Sequence, residues 1–136
     1  MSTNNCVLKL NHLLFDKILF QRNGFKTDNK LEFSFGFNFK TDNPEEIIVH
    51  IQVIGTKKSE YRFEVAASGY FSYVGTKEKV DLMARQNAAA IIFPYIRSQI
   101  TLLTAQPEME AVVLPPLNIA SIIKEAEKPE GNGQSL

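Results

Sequence analysis

Between residues 31 and 40 the chain alternates without a break, with Leu31, Phe33, Phe35, Phe37 and Phe39 on one parity and Glu32, Ser34, Gly36, Asn38 and Lys40 on the other. Successive side chains of a strand point to opposite faces, so this pattern predicts a strand with one face buried. Thr41-Asp42-Asn43-Pro44 follows. Its proline lacks a donor and its Asp and Asn can bond their own backbone, which predicts a turn. Ile47, Val49, Ile51 and Val53 then share a parity opposite Ile48, His50, Gln52 and Ile54, a second strand that breaks at residues 55–59. Tyr61, Phe63 and Val65 alternate with Arg62 and Glu64; beyond Ala66-Ala67-Ser68-Gly69 a short apolar run, residues 70–74, stops at Gly75. Strands joined by turns this short predict an antiparallel meander.

The flanks follow other rules. Leu8, Leu10, Leu13, Leu14, Ile18 and Leu19 fit a helix about as well as a bulged strand, and strand is the preferred reading. After Gly75 the period lengthens: Val80, Met83, Ala84, Ala88, Ile91, Ile92, Tyr95, Ile96, Ile100 and Leu103 recur at spacings of three and four, as in one long amphipathic helix or two in series. Pro94 falls inside this stretch, where its missing N–H and its ring predict a bend or a restart. Residues 111–116 are apolar and end in Pro-Pro, an extended connector, and Asn118 is placed to cap a final helix running to about residue 126. Residues 1–126 therefore read as a single domain and 127–136 as a flexible tail.

Composition narrows the function more than the fold. The chain has 136 residues, enough for one core, and its 15 basic and 15 acidic side chains cancel. A broad phosphate-binding face is not expected from that balance, and the small clusters at Lys57-Lys58 and Lys77 to Lys79 read as solvated turn residues, so nucleic acid is not an expected partner. Cys6 is the single cysteine, which excludes an internal disulfide and points to the cytoplasm. The first residues show no secretory signal, and no stretch reaches the roughly 18 apolar residues of a membrane span, so membrane insertion is not expected.

Residues that carry chemistry are sparse. His12 and His50 stand apart, without a second histidine or cysteine at a ligand spacing, so no metal is expected. Gly69 and Gly75 flank an apolar run that lacks the Lys-Ser or Lys-Thr of a phosphate loop, so no nucleotide cofactor is expected. Glu64 has no partner carboxylate for acid–base work, and Cys6 has no activating base beside it. An enzyme is not indicated. The feature that stands out is aromatic: ten phenylalanines and four tyrosines without a tryptophan. The row Phe33, Phe35, Phe37 and Phe39 is either core beneath the helix or the lining of an open groove, where rigid rings give contact area at little entropic cost.

Three segments, taken in order and spacing, carry a family resemblance: Glu64-Val65 with Gly69, Phe71 and Gly75; Asn87 with Ile91-Ile92-Phe93-Pro94-Tyr95-Ile96-Arg97; and Leu114-Pro115-Pro116-Leu117-Asn118-Ile119. Together they resemble the SecB family of export chaperones, most closely over residues 46–123. The resemblance implies an α+β fold, a four-stranded antiparallel sheet with a long, kinked helix and a C-terminal helix. It also implies a homotetramer, a dimer of dimers, in which Phe93 and Ile96 serve packing between or within subunits.

The function it implies is that of a cytoplasmic holdase, keeping unfolded or precursor polypeptides competent for translocation in protein export. The client groove would be lined by Tyr70, Phe71, Tyr73, Val113, Leu114, Leu117 and Ile122, and the motor SecA would dock near Glu64 and Asp16. Members of the family are strongly acidic, whereas this chain is neutral and offers Lys17 and Gln21 where acids are expected. That departure raises a second reading, a SecB-like chaperone of a toxin–antitoxin system with an antitoxin as partner. A different class, a carrier of small apolar ligands, would require a closed cavity in place of an open groove.

Overall fold

In a computed structural model, residues 7–41, 45–74, 77–119 and 121–122 are described. The alternating segments become four strands, β1 (Val7–Arg22), β2 (Leu31–Lys40), β3 (Glu46–Lys57) and β4 (Tyr61–Val74), followed by one long helix, α1 (Lys77–Leu103). They form a single antiparallel sheet in the order β1-β4-β3-β2. Strands β2, β3 and β4 are the predicted meander. β1 closes the sheet from the far side, so residues 23–30 must cross from one edge to the other. Three inter-strand spacings are about 14 Å, well within the reach of eight extended residues, roughly 26 Å.

β1 resolves the ambiguity of the N-terminal pattern. Its register against β4 slips twice, between Leu10 and His12 and again between Phe15 and Lys17, leaving Asn11 and Asp16 as the extra residues. Leu10, then Leu13 and Phe15, then Ile18 and Phe20 thus pair with residues of β4 that face the helix, and Leu8, two residues before Leu10, is paired with Tyr73. Each bulge shifts the parity by one. The resulting spacing of two, three, two, three and two is what mimics a helix in the sequence.

The core lies between one sheet face and α1. Ile47, Val49, Ile51 and Val53 of β3 and Phe63, Val65, Ala67 and Phe71 of β4 are buried against Ala84, Ala88, Ala89, Ile92, Ile96 and Ile100 of the helix. The small residues 66–69 separate two apolar stretches in the sequence, and β4 runs straight through them. They allow a close approach, for a Cβ added to Gly69 would lie 2.9 Å from Cγ2 of Ile92.

Pro94 neither ends nor restarts the helix, which is continuous from Lys77 to Leu103. Ala90 and Pro94 are both on the exposed side, so the carbonyl deprived of its donor at residue 94 sits beside solvent and not in the core. Helical residues are found at Ile119, Ser121 and Ile122, and Asn118 accepts the Ser121 amide through Oδ1 at 3.1 Å, as a capping side chain does. The rest of that predicted helix, the tail, Cys6 and the turn at residues 42–44 lie outside the described residues.

Candidate functional site

The end of α1 rivets the connector to the helix. Thr104 is buried; its hydroxyl donates to the Ile100 carbonyl at 2.8 Å and accepts the Val112 amide at 2.7 Å. Thr101 Oγ1 donates to the Val112 carbonyl at 2.9 Å. Both backbone groups of Val112 are thereby fixed, and the side chains on either side of it are aimed by a frame and not by their own packing. Leu114 turns inward and is buried, Leu117 and Ile122 are half-buried, and Val113 stands 72% exposed.

Clefts open on both sides of this connector. One, of about 390 Å³, lies between residues 109–115 and the sheet, where Leu31, Phe33 and Tyr61 form apolar wall and Lys26 and Asn29 come from the crossing loop. The other, of about 490 Å³, lies between Val113 and Leu114 and the helix, at Pro94, Arg97 and Leu102. Leu102 is 69% exposed and Tyr95 half exposed, so this side of α1 carries apolar surface that its own sheet does not cover.

The lining of the first cleft includes a buried carboxylate, Glu60. Burial pushes its pKa up, but the Thr27 amide and the Lys57 ammonium, which donate to it, more than offset this and hold it below the usual range. Lys57 is correspondingly raised by its hydrogen bond to Glu60. Burial raises the phenol of Tyr61.

The opposite sheet face is polar and differently organised. The Asp16 bulge re-aims its carboxylate onto Ser68, whose hydroxyl donates to it; Ser68 Oγ in turn lies 2.6 Å from His50 Nδ1. The order of donors makes His50 the Nδ1–H form, a tautomer assigned from this network. Four residues from Ser68 on the same strand, Glu64 is almost wholly buried and accepts from Lys17 at 3.1 Å, from Arg62 at 3.3 Å and from Gln52. Desolvation raises the Glu64 pKa, and Lys17, Gln52 and Arg62 together bring it below the usual carboxylate range. Among the described residues no group of His, Cys, Asp and Glu is arranged to hold a metal ion.

The expected groove residues divide between these surfaces. Val113, Leu114 and Leu117 meet at the connector, with Ile122 shortly beyond. Phe71 is completely buried under α1, and Tyr70, its neighbour on the strand, points to the polar face and packs edge-on against His12 with ring centroids 6.3 Å apart. Adjacent strand residues point to opposite faces, so Tyr70 and Phe71 do not share a groove, and neither is among the walls of the two clefts beside the connector. The Tyr73 side chain lies outside the described residues. Phe93 and Ile96 are both buried within this chain, Phe93 tilted against Phe35 at 6.4 Å, so of the two kinds of packing expected of them it is packing within the subunit that the geometry describes.

Sequence reasoning missed Tyr61, Met109 and the loop residues Lys26 and Asn29 as cleft walls. The alternation at Phe33 did mark one wall. The loop carried no signal, because its position depends on contacts made far away in the sequence.

Comparison with known proteins follows the same lines. The family described as preprotein translocase subunit SecB matches residues 16–129. An uncharacterised protein of Methanocaldococcus jannaschii is 26% identical over 134 residues, which cover 90% of this chain and 86% of that protein. Among solved structures, a SecB-like chaperone of Mycobacterium tuberculosis, in complex with a peptide from the HigA1 antitoxin, superposes with a TM-score of 0.66 at 14% identity, over 81% of this chain and 87% of that one. A protein of unknown function from Streptococcus agalactiae gives a TM-score of 0.50 at 8% identity, over 82% and 99% of the two chains. These two likenesses are of fold.

Proposed function

Because the chain belongs to the SecB family, we propose that it is a chaperone of the holdase kind, gripping unfolded polypeptide segments in the clefts beside residues 109–118. The observation that carries this reading is the pairing of Val113 and Leu102, large apolar side chains left in solvent on a connector and a helix that hydrogen bonds hold rigidly together. Such a frame offers apolar contact without having to be ordered when a client arrives. The work is non-covalent, in keeping with a family of non-enzymatic chaperones. The clefts are open to solvent, which favours an extended chain over the enclosed small ligand of a carrier.

Each cleft holds a short segment, and tight holding comes from several subunits acting on one client. Linked weak contacts raise avidity by roughly a hundred- to ten-thousandfold. A homotetramer is the assembly proposed, with Ile91 and Tyr95 on the uncovered side of α1 as its packing surface. The setting proposed is the cytoplasm; no helix among the described residues is long and apolar enough to cross a membrane.

Between an export role with SecA and a toxin–antitoxin role, one observation weighs against the first: Glu64, the expected docking acid, is buried and already engaged by Lys17, Arg62 and Gln52. A buried carboxylate with three donors has little charge left to offer a partner. The antitoxin peptide held by the M. tuberculosis relative supports the second. The test is suppression of aggregation of a protein diluted from denaturant, with particle mass followed by light scattering. A folded chain that leaves aggregation unchanged ends the holdase reading; suppression should then be followed by titration with SecA and with an antitoxin peptide.

A further inference from the structure

One residue fastens the loop that crosses the sheet, and it does so from both ends. The backbone carbonyl of Glu60 accepts the amides of Asn23 at 2.8 Å and Gly24 at 3.2 Å. Its side-chain Oε1 accepts the Thr27 amide at 2.8 Å, the Thr27 hydroxyl at 3.3 Å and the Lys57 ammonium at 2.9 Å. Between the two anchors stands Phe25, 88% exposed, while Glu60 itself is 1% exposed. Thr27 passes the constraint on: its hydroxyl accepts the Asn29 amide at 3.1 Å, and Asn29 Nδ2 donates to the Lys58 carbonyl at 2.7 Å. At the other end Arg22 spans the Gly24 and Pro107 carbonyls, tying the loop to the start of the connector.

We infer that Glu60 is a positioning residue of the cleft, its carboxylate holding residues 25–29 as a fixed outer wall that sets how firmly an extended apolar polypeptide segment is gripped. The inference rests on the chaperone reading above. A glutamate is almost never fully buried unless paired, and a well-packed apolar residue would serve stability as well or better. What an apolar residue could not do is hold the Thr27 amide, and with it the position of Lys26 and Asn29, which face the connector across the cleft. The two anchors are chemically separate. Replacing the side chain leaves the carbonyl bonds to Asn23 and Gly24 in place, so the loop stays attached at its root while the part that forms the wall is released.

The experiment compares the full-length chain with Glu60→Gln, Glu60→Ala and Thr27→Pro, the last removing both Thr27 donors while leaving the Glu60 side chain and its Lys57 partner in place. Amide exchange is followed at Asn23, Gly24 and Thr27, and binding is measured with a fluorescein-labelled apolar peptide and with a reduced, unfolded protein. In Glu60→Ala the Thr27 amide should lose protection while Asn23 and Gly24 keep theirs. Affinity for both probes should fall about three- to tenfold, the cost of ordering one or two wall side chains on binding. Glu60→Gln, whose amide oxygen still accepts from Thr27, should be intermediate, and Thr27→Pro should lower affinity by about the same three- to tenfold relative to wild type, which keeps the test decisive where Glu60→Ala does not fold. Wild-type affinity in the variants, or unchanged protection of Thr27 in Glu60→Ala, overturns the positioning role. A wild-type chain that binds neither probe overturns the chaperone reading and this inference with it, an outcome distinct from failure of the inference alone.

Discussion

The ring of Phe63 lies directly over the backbone of Gly55 on the neighbouring strand: a Cβ built on residue 55 would stand 2.3 Å from the ring's Cζ. The two residues are paired in register, and Phe63 is completely buried, so the ring occupies the space a side chain would otherwise fill. Gly55→Ala therefore forces the core to move. It should lower stability by about 1–3 kcal/mol, the usual range for overpacking, in a urea titration followed by tyrosine fluorescence. An unshifted midpoint would mean that the ring has room to turn aside.

Acid should destabilise the fold through two carboxyls. Glu60 and Glu64 are both held below the ordinary glutamate value in the folded chain. A depressed folded value contributes stability that is present above the unfolded pKa, about 4.3, and is lost as pH falls through the folded value. Thermal midpoints should hold steady toward neutral pH and drop below roughly pH 4. Glu64→Gln should start lower at pH 7 and lose less on acidification; an acid loss equal to that of the wild type would remove Glu64 from the account.

The polar face and the cleft should respond separately. Ser68→Ala breaks the chain from His50 through Ser68 to Asp16 at its middle. The loss should be about 1 kcal/mol, read in the same urea titration, and because this face lies away from the connector the affinity for unfolded client should not change. A parallel fall in client binding would tie the face to the clefts.

On the other side, Val113→Ser and Leu102→Ser remove exposed apolar contact without touching the core. Loss of an anchoring contact of about 1 kcal/mol or more corresponds to roughly fivefold in affinity, measured with a labelled unfolded client, at unchanged thermal midpoint. Tyr70→Ala, on the polar face, should leave client affinity alone. If Tyr70→Ala weakens capture and Val113→Ser does not, the clefts are misplaced.

What the sequence made legible was whatever rests on local periodicity. Strand β2 and the apolar face of β3 follow from strict alternation, and α1 from the change of period after Gly75. Where a local rule failed, a tertiary contact had overridden it. Residues 66–69 separate two apolar stretches in the sequence, while in the fold Ile92 rests on Gly69; Pro94 predicts a bend or a restart until its side is seen to face solvent. The connector residues Val113, Leu114 and Leu117 were reached through family resemblance, and their packing then explained their chemistry. Lys26, Asn29 and Glu60 were out of reach, because the bonds that assemble them join residues some thirty positions apart.

The two bulges of β1 also govern which changes of length this strand can survive. Each inverts the side on which every later residue emerges, and two in series restore the original side. Deleting Asn11 alone would bring Leu10 and Leu13 to the spacing of two that a regular strand places on one face, so the bulge would close with the pairing to β4 kept, and the same holds for Asp16 between Phe15 and Ile18. Deleting both would leave Leu8, Leu10, Leu13, Phe15, Ile18 and Phe20 in strict alternation on one face. Length along this edge can thus change by one residue at either bulge, while the same loss elsewhere must be absorbed by one of them, a constraint written into a segment whose composition alone looks freely variable.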